Sequence, residues 1–310
     1  MRSGFSKAEI MSFNHTIAIE LGRRRWLPYR IRRSLIKRLH PTMLAGHAFE
    51  TDFFDRSLGL RFRGDTASNV DRQVYFFGAY EKYMLRFFRD YVTRLAGHEP
   101  RPLVYLDIGA NVGNHVLFMS RLVDTVFAFE PFDRARKQLE VNIAINHLAN
   151  VTVYPFGLSD ENKNSPLYAV AGGDLVTASF WQDFKQDHHP LGEMPLRRGD
   201  DVTAEAGIGR THIIKADVEG YEKLVLAGLH GTLRRDRPLM VVEISQKTRE
   251  TLAGPEDLRA LFPERYRFFC FASASRAGAY RLKPFEYEVI SKMLDVIACP
   301  EEAVIHLPGI

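Results

Sequence analysis

Two carboxylates and two glycines at fixed spacing suggest a ligand site before any fold is assigned. Residues 103–113 (LVYLDIGANVG) read as a buried strand that breaks into a glycine turn. Residues 127–131 (FAFEP) read as a second buried strand, ending on Glu130 and Pro131. Such a pair can hold a nucleoside, because a carboxylate at that place accepts hydrogen bonds from both ribose hydroxyls. A dinucleotide turn would carry a further glycine at position 110, so that the backbone can approach a pyrophosphate. Ala110 stands there instead, and Asp107 puts an anion at the strand end. An anion repels phosphate and suits a cation. Asp107, Gly109, Asn111, Gly113 and Glu130 therefore fit S-adenosyl-L-methionine, which carries a sulfonium and an ammonium, better than NAD or FAD. The alternative is an ordinary strand–turn–helix connection, in which Gly109 and Gly113 serve backbone geometry alone.

A second group of chemical residues lies a hundred positions further on. Lys215 and Asp217 are two apart in a predicted strand and so point the same way. Glu219 follows at the predicted start of a helix, and Glu243 ends another apolar strand, a costly place for a carboxylate without a partner. Asp217 is the first choice for a general base, with Lys215 orienting it. Asp217, Glu219 and Glu243 could bind a divalent cation through oxygen, but no spacing requires a metal, and none is assigned. His115 reads as a packing or capping residue. His188 and His189 are weaker candidates for a base.

The elements that must position these groups alternate as in a doubly wound α/β sheet. Strands are predicted at 103–107, 125–130, 151–156, 211–217 and 238–244, with late strands at 266–272 and 293–298. Helices are predicted at 113–122, 133–147, 220–232 and 255–262. Residues 1–40 form a basic arm, 41–100 a cap, and 101–310 the main domain, interrupted at 161–210 by a substrate-facing flap. Within the cap, 48–78 read as short strands or a hairpin, and 79–96 as a helix.

Composition bounds the remaining choices. At 310 residues and 45% hydrophobic, the chain can build one large core with additions. Two cysteines supply neither a disulfide framework nor a metal cluster. No apolar run is long enough to span a membrane, and the start lacks the apolar segment of a signal peptide, so a cytoplasmic location is expected. Residues 1–40 hold ten Lys/Arg against two Glu, a net of +8, which leaves residues 41–310 at −4. The main domain is thus mildly acidic, which argues against nucleic acid as its partner. In the arm, Leu27, Ile31, Leu35 and Leu39 recur every four residues. That stripe over residues 21–39 suits weak contact with an anionic membrane surface, or packing on the body or on a second subunit; its shortness favours packing.

Taken in order, DIGANVG at 107–113, FEP at 129–131, NIAIN at 142–146, GLSD at 157–160, KADVEGYE at 215–222 and the late Glu243 resemble the FkbM-type methyltransferases over roughly residues 60–300. The resemblance implies a class I methyltransferase fold, Rossmann-like, with a seven-stranded sheet. It also implies an S-adenosylmethionine-dependent enzyme (EC 2.1.1.-) that O-methylates a small hydroxylated acceptor such as a sugar or polyketide metabolite. Gly157, Ser159 and Asp160 would then lie near adenine; Asn142 and Asn146 share one helix face at i,i+4, where Asn146 would stabilise the helix end or touch ligand. Phe180 and Trp181 would stack on a sugar ring or anchor the flap. The competing readings are a nicotinamide-dependent oxidoreductase and a non-catalytic protein that uses the arm to meet RNA or membrane.

Overall fold

The computed structural model describes residues 46–99, 102–170, 178–182, 188–252, 254–275, 278–287 and 293–309, with isolated residues between 17 and 36. The first described elements are strands β1 (Ala48–Asp52) and β2 (Arg61–Asp65), paired antiparallel, then helices α1 (Asn69–Phe77) and α2 (Lys82–Leu95). The alternation of Val74 and Phe76, taken as strand-like in the sequence, belongs to α1. The Ser68 side chain caps that helix on the Asp71 amide, and Val74, Tyr75, Phe76 and Phe77 are all buried. The burial falls on a run of four consecutive residues at its C-terminal end, so an apolar alternation there does not distinguish strand from helix.

The core follows as β3 (Val104–Ile108), α3 (Asn114–Met119), β4 (Thr125–Phe129), α4 (Asp133–Ile145) and β5 (Val151–Tyr154). Next come β6 (Gly157–Ser159), β7 (Lys163–Val170), β8 (Ala178–Ser179) and β9 (His188–Arg198), a separate four-stranded sheet in the order β6-β9-β7-β8. This sheet fills most of the region expected to form a flap. Residues 199–205, expected within the flap, form helix α5 and pack on the main domain. The chain continues through β10 (Ile213–Ala216), α6 (Glu222–Gly228), α7 (His230–Asp236), β11 (Leu239–Ile244), α8 (Gln246–Thr251) and α9 (Pro255–Ala260). It closes with β12 (Tyr266–Ala274), β13 (Tyr280–Pro284) and β14 (Leu294–Pro300). The single helix expected at 220–232 is two helices meeting at Leu229, beside Gly228, whose bare α-carbon lies against the Ser159 backbone.

The main sheet runs β13-β12-β14-β11-β10-β3-β4-β5. β5, β4, β3, β10 and β11 are parallel; β14 runs antiparallel to both of its neighbours, β11 and β12. This is the class I methyltransferase sheet with one strand more than the seven expected. The extra edge strand is β13, a short segment that ends in Pro284 and pairs with β12 alone. Alternate strand residues feed two cores: Tyr105, Ile213 and Val241 pack with α1 to α4, while Leu106, Ile214 and Met240 pack with α5 to α7. Helices on both faces explain why the central strands are apolar throughout.

The cap is stitched to the core through Asn142 and Asn146. Asn142 Oδ1 accepts from the Arg63 amide at 2.8 Å, and Asn146 Oδ1 accepts from the Arg61 amide at 2.7 Å. Four residues of helix rise about 6 Å and two of strand about 6.6 Å, so the i,i+4 pair matches alternate amides of β2. Of the arm, Ile36 is buried, and the Arg32 guanidinium donates to the Gly22 carbonyl and stands over the Phe77 ring. In the proposed stripe, Ile31 is exposed and Leu35 half-buried, while Leu27 and Leu39 lie outside the described residues.

Candidate active site

Strand order reverses about β3, between β4 and β10, and a cleft of about 1330 Å³ opens beyond those strand ends. That exceeds the roughly 300–1,000 Å³ of an ordinary ligand pocket, which leaves space for two reactants.

One lobe is formed by the glycine turn, Glu130, Pro131, Phe132, Gly157 and Leu158. Glu130 is buried, and both its oxygens accept backbone amides: Asn111 N–H on Oε2 and Phe132 N–H on Oε1, each at 2.8 Å. Burial pushes its carboxyl up to about 7 against the opposing effect of those two amides. Each oxygen keeps a second lone pair, so Glu130 can fix the turn and still accept from a ligand. Gly109 and Gly113 have φ of 83° and 94°. A Cβ on Gly109 would collide with the Asp217 carbonyl, and one on Gly113 with the Leu139 side chain. Both glycines are thus demanded by the protein's own packing. Asn111 also has positive φ, 51°, and its side chain accepts from the Val112 amide at 2.8 Å.

Asp107 lies beneath this lobe, 1% exposed, with neither carboxylate oxygen in hydrogen-bonding geometry to a donor among the described residues. Burial raises its carboxyl to about 7, opposed by the charge of Lys215, its register neighbour on β10. The nearby Tyr105 hydroxyl also lowers it, which partly offsets the cost of burying the charge. Ser159 and Asp160 do not line the cleft: Ser159 is fully buried and its hydroxyl donates to Asp160 at 2.9 Å.

The second lobe is lined by Lys215, Asp217, Glu219 and Glu243, of which only the first two were paired by their spacing. Lys215 Nζ donates to Asp217 Oδ2 at 2.9 Å, with the lysine buried and the aspartate 28% exposed. Burial alone would push the ammonium down, but the Asp217, Asp107 and Glu81 carboxylates reverse this and raise it. Glu243, register partner of Asp295, is pushed up to about 11 by burial and by the charges of Asp217, Glu219 and Asp295. Among the described residues, no group of three or more His, Cys, Asp or Glu is placed to hold a metal ion.

Glu219 does not begin a helix, contrary to its sequence reading; α6 starts at Glu222. Glu219 and Gly220 form a left-handed turn with φ of 51° and 104°. The turn is held from beneath by Glu222, a fully buried residue that the sequence reading passed over. Its carboxylate accepts from the Val218 and Gly220 amides at 3.0 and 3.2 Å and from the Thr248 hydroxyl at 2.6 Å. From above, the flap donates to the same turn. Ser179 Oγ reaches the Glu219 carbonyl at 2.8 Å, and Trp181 Nε1 reaches the Gly220 carbonyl at 2.9 Å. Trp181 therefore anchors the flap, while Phe180 lines the cleft. His189 is exposed and away from the cleft; the His188 side chain lies outside the described residues, as do Gly172, Gly173 and Thr177.

The model of the methyltransferase FkbM domain matches residues 107–271, more than half of the chain, and spans both lobes. The chain belongs to the FkbM methyltransferase family. It is a methyltransferase, which removes the oxidoreductase and non-catalytic readings. It is 29% identical to the 2-O-methyltransferase NoeI of Sinorhizobium fredii over 191 residues, covering 57% of this chain and 75% of that protein. It is 28% identical to the hexuronic acid methyltransferase AglP of Haloferax volcanii over 189 residues, covering 58% and 70%. A 26% match over 238 residues to the AMB antimetabolite synthetase AmbE of Pseudomonas aeruginosa covers 63% of this methyltransferase but only 11% of that protein's length. Among the described residues, no helix is long and apolar enough to cross a membrane.

Proposed function

We propose that this methyltransferase transfers the methyl group of S-adenosylmethionine to a hydroxyl of a small acceptor, a sugar or glycosylated metabolite. The observation that carries this reading is one cleft with two chemically distinct lobes: a strand-end carboxylate beside a glycine turn, and a Lys215–Asp217 pair beyond it. The names of NoeI and AglP, a 2-O-methyltransferase and a hexuronic acid methyltransferase, support the acceptor class.

When bound, S-adenosylmethionine supplies a methyl already activated by a sulfonium. In this reading Glu130 accepts from the ribose hydroxyls, and Pro131, Gly157 and Leu158 lie against the adenine. The buried Asp107, beneath the turn and beside Lys215 and the Tyr105 hydroxyl, adds negative charge that favours a bound cation. Gly109, Asn111 and Gly113 shape the turn without touching chemistry, and Ser159 and Asp160 act only by supporting β6. Asp217, fixed by Lys215, draws the proton of the acceptor hydroxyl, with Glu219 and Glu243 flanking it. The protein's task is alignment and exclusion of water, because the electrophile needs no further activation.

Calorimetric titration with S-adenosylmethionine, S-adenosylhomocysteine and NAD tests the cofactor. Binding of the two adenosyl ligands alone is expected; binding of NAD alone would overturn it. A labelled-methyl screen of hydroxylated acceptors tests the reaction, which is expected to survive a strong chelator.

A further inference from the structure

One short segment of the flap, Ser179 to Trp181, touches both lobes of the cleft. On one side, Ser179 and Trp181 hold the Glu219–Gly220 turn through its two carbonyls, and the Lys247 ammonium stands 5.0 Å from the centroid of the Trp181 ring. On the other side is Phe180. A Cβ built on Gly157 would lie 3.3 Å from Phe180 Cε2 and 3.5 Å from Cζ, so the ring packs directly on the Gly157 backbone. The same Cβ would meet Leu196 Cδ2 at 2.7 Å, where β6 pairs with β9. Gly157 does not share the left-handed φ of Gly109 and Gly113, so its bare α-carbon serves close approach and not backbone conformation. Gly157 opens β6 just after β5, and the Tyr154 carbonyl at the end of β5 accepts from the Glu130 amide at 3.1 Å. Phe180 is thus seated in the lobe of Glu130. Its other aromatic neighbour is Tyr221, with ring centroids 5.3 Å apart and planes tilted by 49°, and both rings line the cleft.

We propose that Phe180 is a cofactor-binding residue, whose ring covers the adenine of S-adenosylmethionine over Gly157, so that the flap holds the purine. The proposal rests on the S-adenosylmethionine reading and adds to it a residue from outside the strand–turn–helix–strand that builds the rest of the lobe. A purine is flat, with two faces that make no hydrogen bonds, and an aromatic ring against one of them gains dispersion and quadrupole attraction beyond the area it buries. Gly157 lets that ring come close to the backbone, and Leu158, next along β6, adds apolar lining. The bonds from Ser179 and Trp181 fix the ring's place on both sides of it in the chain. Both are made to backbone carbonyls, so they do not depend on which side chain stands at 219 or 220. The sequence offers Phe180 a sugar ring or an anchoring role; its packing on Gly157 points to the purine instead.

The test is calorimetric titration of the full chain and of Phe180→Ala, Phe180→Leu and Phe180→Tyr with two probes. One is S-adenosylhomocysteine; the other is 5′-methylthioadenosine, which keeps the adenine and ribose but lacks the amino-acid end. Melting of the free proteins serves as the folding check. Phe180→Ala is expected to weaken both probes by the same factor, about 10-fold or more, because they share the purine. Phe180→Tyr keeps the aromatic face and should stay within about threefold of wild type. Phe180→Leu keeps apolar volume without that face; it should fall between the two, and it replaces the alanine variant should that one not fold. Affinity for both probes within about twofold of wild type in the folded alanine or leucine variant overturns the proposal. So does a loss confined to S-adenosylhomocysteine, which would put the ring at the amino-acid end. A second reading needs no substitution in the bound protein. With ring-labelled phenylalanine, adenine H2 or H8 of bound S-adenosylhomocysteine should show NOEs to the Phe180 ring, whose signals are assigned by their disappearance in Phe180→Leu. A purely structural role for Phe180 would not produce these NOEs, and their absence overturns the proposal. Wild-type protein that binds neither adenosyl probe would instead overturn the S-adenosylmethionine reading.

Discussion

The lobe proposed for the cofactor is built by one continuous strand–turn–helix–strand, which brings Gly109, Asn111 and Glu130 to the cleft. The lobe beyond it collects Tyr80 from the cap, His115 from α3, Lys215 to Glu219 after β10, and Glu243 from β11. The first is fixed by local backbone geometry, with Glu130 closing the turn through two amides of its own neighbourhood. The second is an assembly in which carboxylates from distant segments are forced together around one buried lysine. Local construction makes a site legible in sequence, whereas an assembly from distant segments appears only once the chain is folded.

The largest expected effect falls on the assembled lobe. Asp217→Asn should lower kcat by about 10²–10⁴-fold while leaving S-adenosylhomocysteine affinity within about twofold, read by labelled methyl transfer and calorimetry. Equal losses in both quantities would show that the lobes do not act separately. Glu130→Ala should do the reverse, weakening cofactor binding by about 1.5–3 kcal/mol, because it removes a charged acceptor. Glu130→Gln should cost less, since one oxygen remains for a backbone amide.

Next in size is the seam with the cap. Asn142→Ala leaves the Arg63 amide and the Val112 carbonyl without their partner, for a loss of about 1–3 kcal/mol of stability. If the cap serves the acceptor lobe, acceptor KM should rise in this variant, with cofactor affinity held. A KM that stays at the wild-type value would detach the cap from acceptor binding.

The smallest expected effect is a proton count. Asp107 and Glu130 are raised to about 7 by burial, so at neutral pH both are partly protonated in the free protein. A bound cation favours their charged forms, so binding should release protons and affinity should rise with pH up to about 8. Titrations at pH 7 in two buffers of different ionisation enthalpy should show this release, reduced in Asp107→Asn. The same raised groups make a stabilising contribution that is fully present near pH 4 and lost as pH rises through 7. The melting temperature of the free protein should therefore fall less steeply over that range in Asp107→Asn than in the wild type.

The central strands and the glycine turn were legible because period and turn chemistry are properties of neighbouring residues. Glu222 was not, since an acid at a helix start ordinarily means a favourable charge on the helix end. Only the return of Thr248 and the left-handed turn at 219–220 show that it holds a loop. Asn142 and Asn146 advertised a shared helix face but not its partner, the edge of β2. The eighth strand escaped because β13 is short, ends in proline and pairs on one side alone.

The sequence by itself determined the doubly wound sheet, the turn, the strand-end carboxylate and the Lys215–Asp217 pair, since each depends on spacing within a few residues. Only the tertiary structure decided that Asp107 is buried beside Tyr105 and Lys215, that Glu219 is strained between Glu222 and the flap, and that Glu81 approaches His115. Those facts depend on which segments share space. Burial and Coulomb interaction act through distance in three dimensions, which position along the chain does not encode.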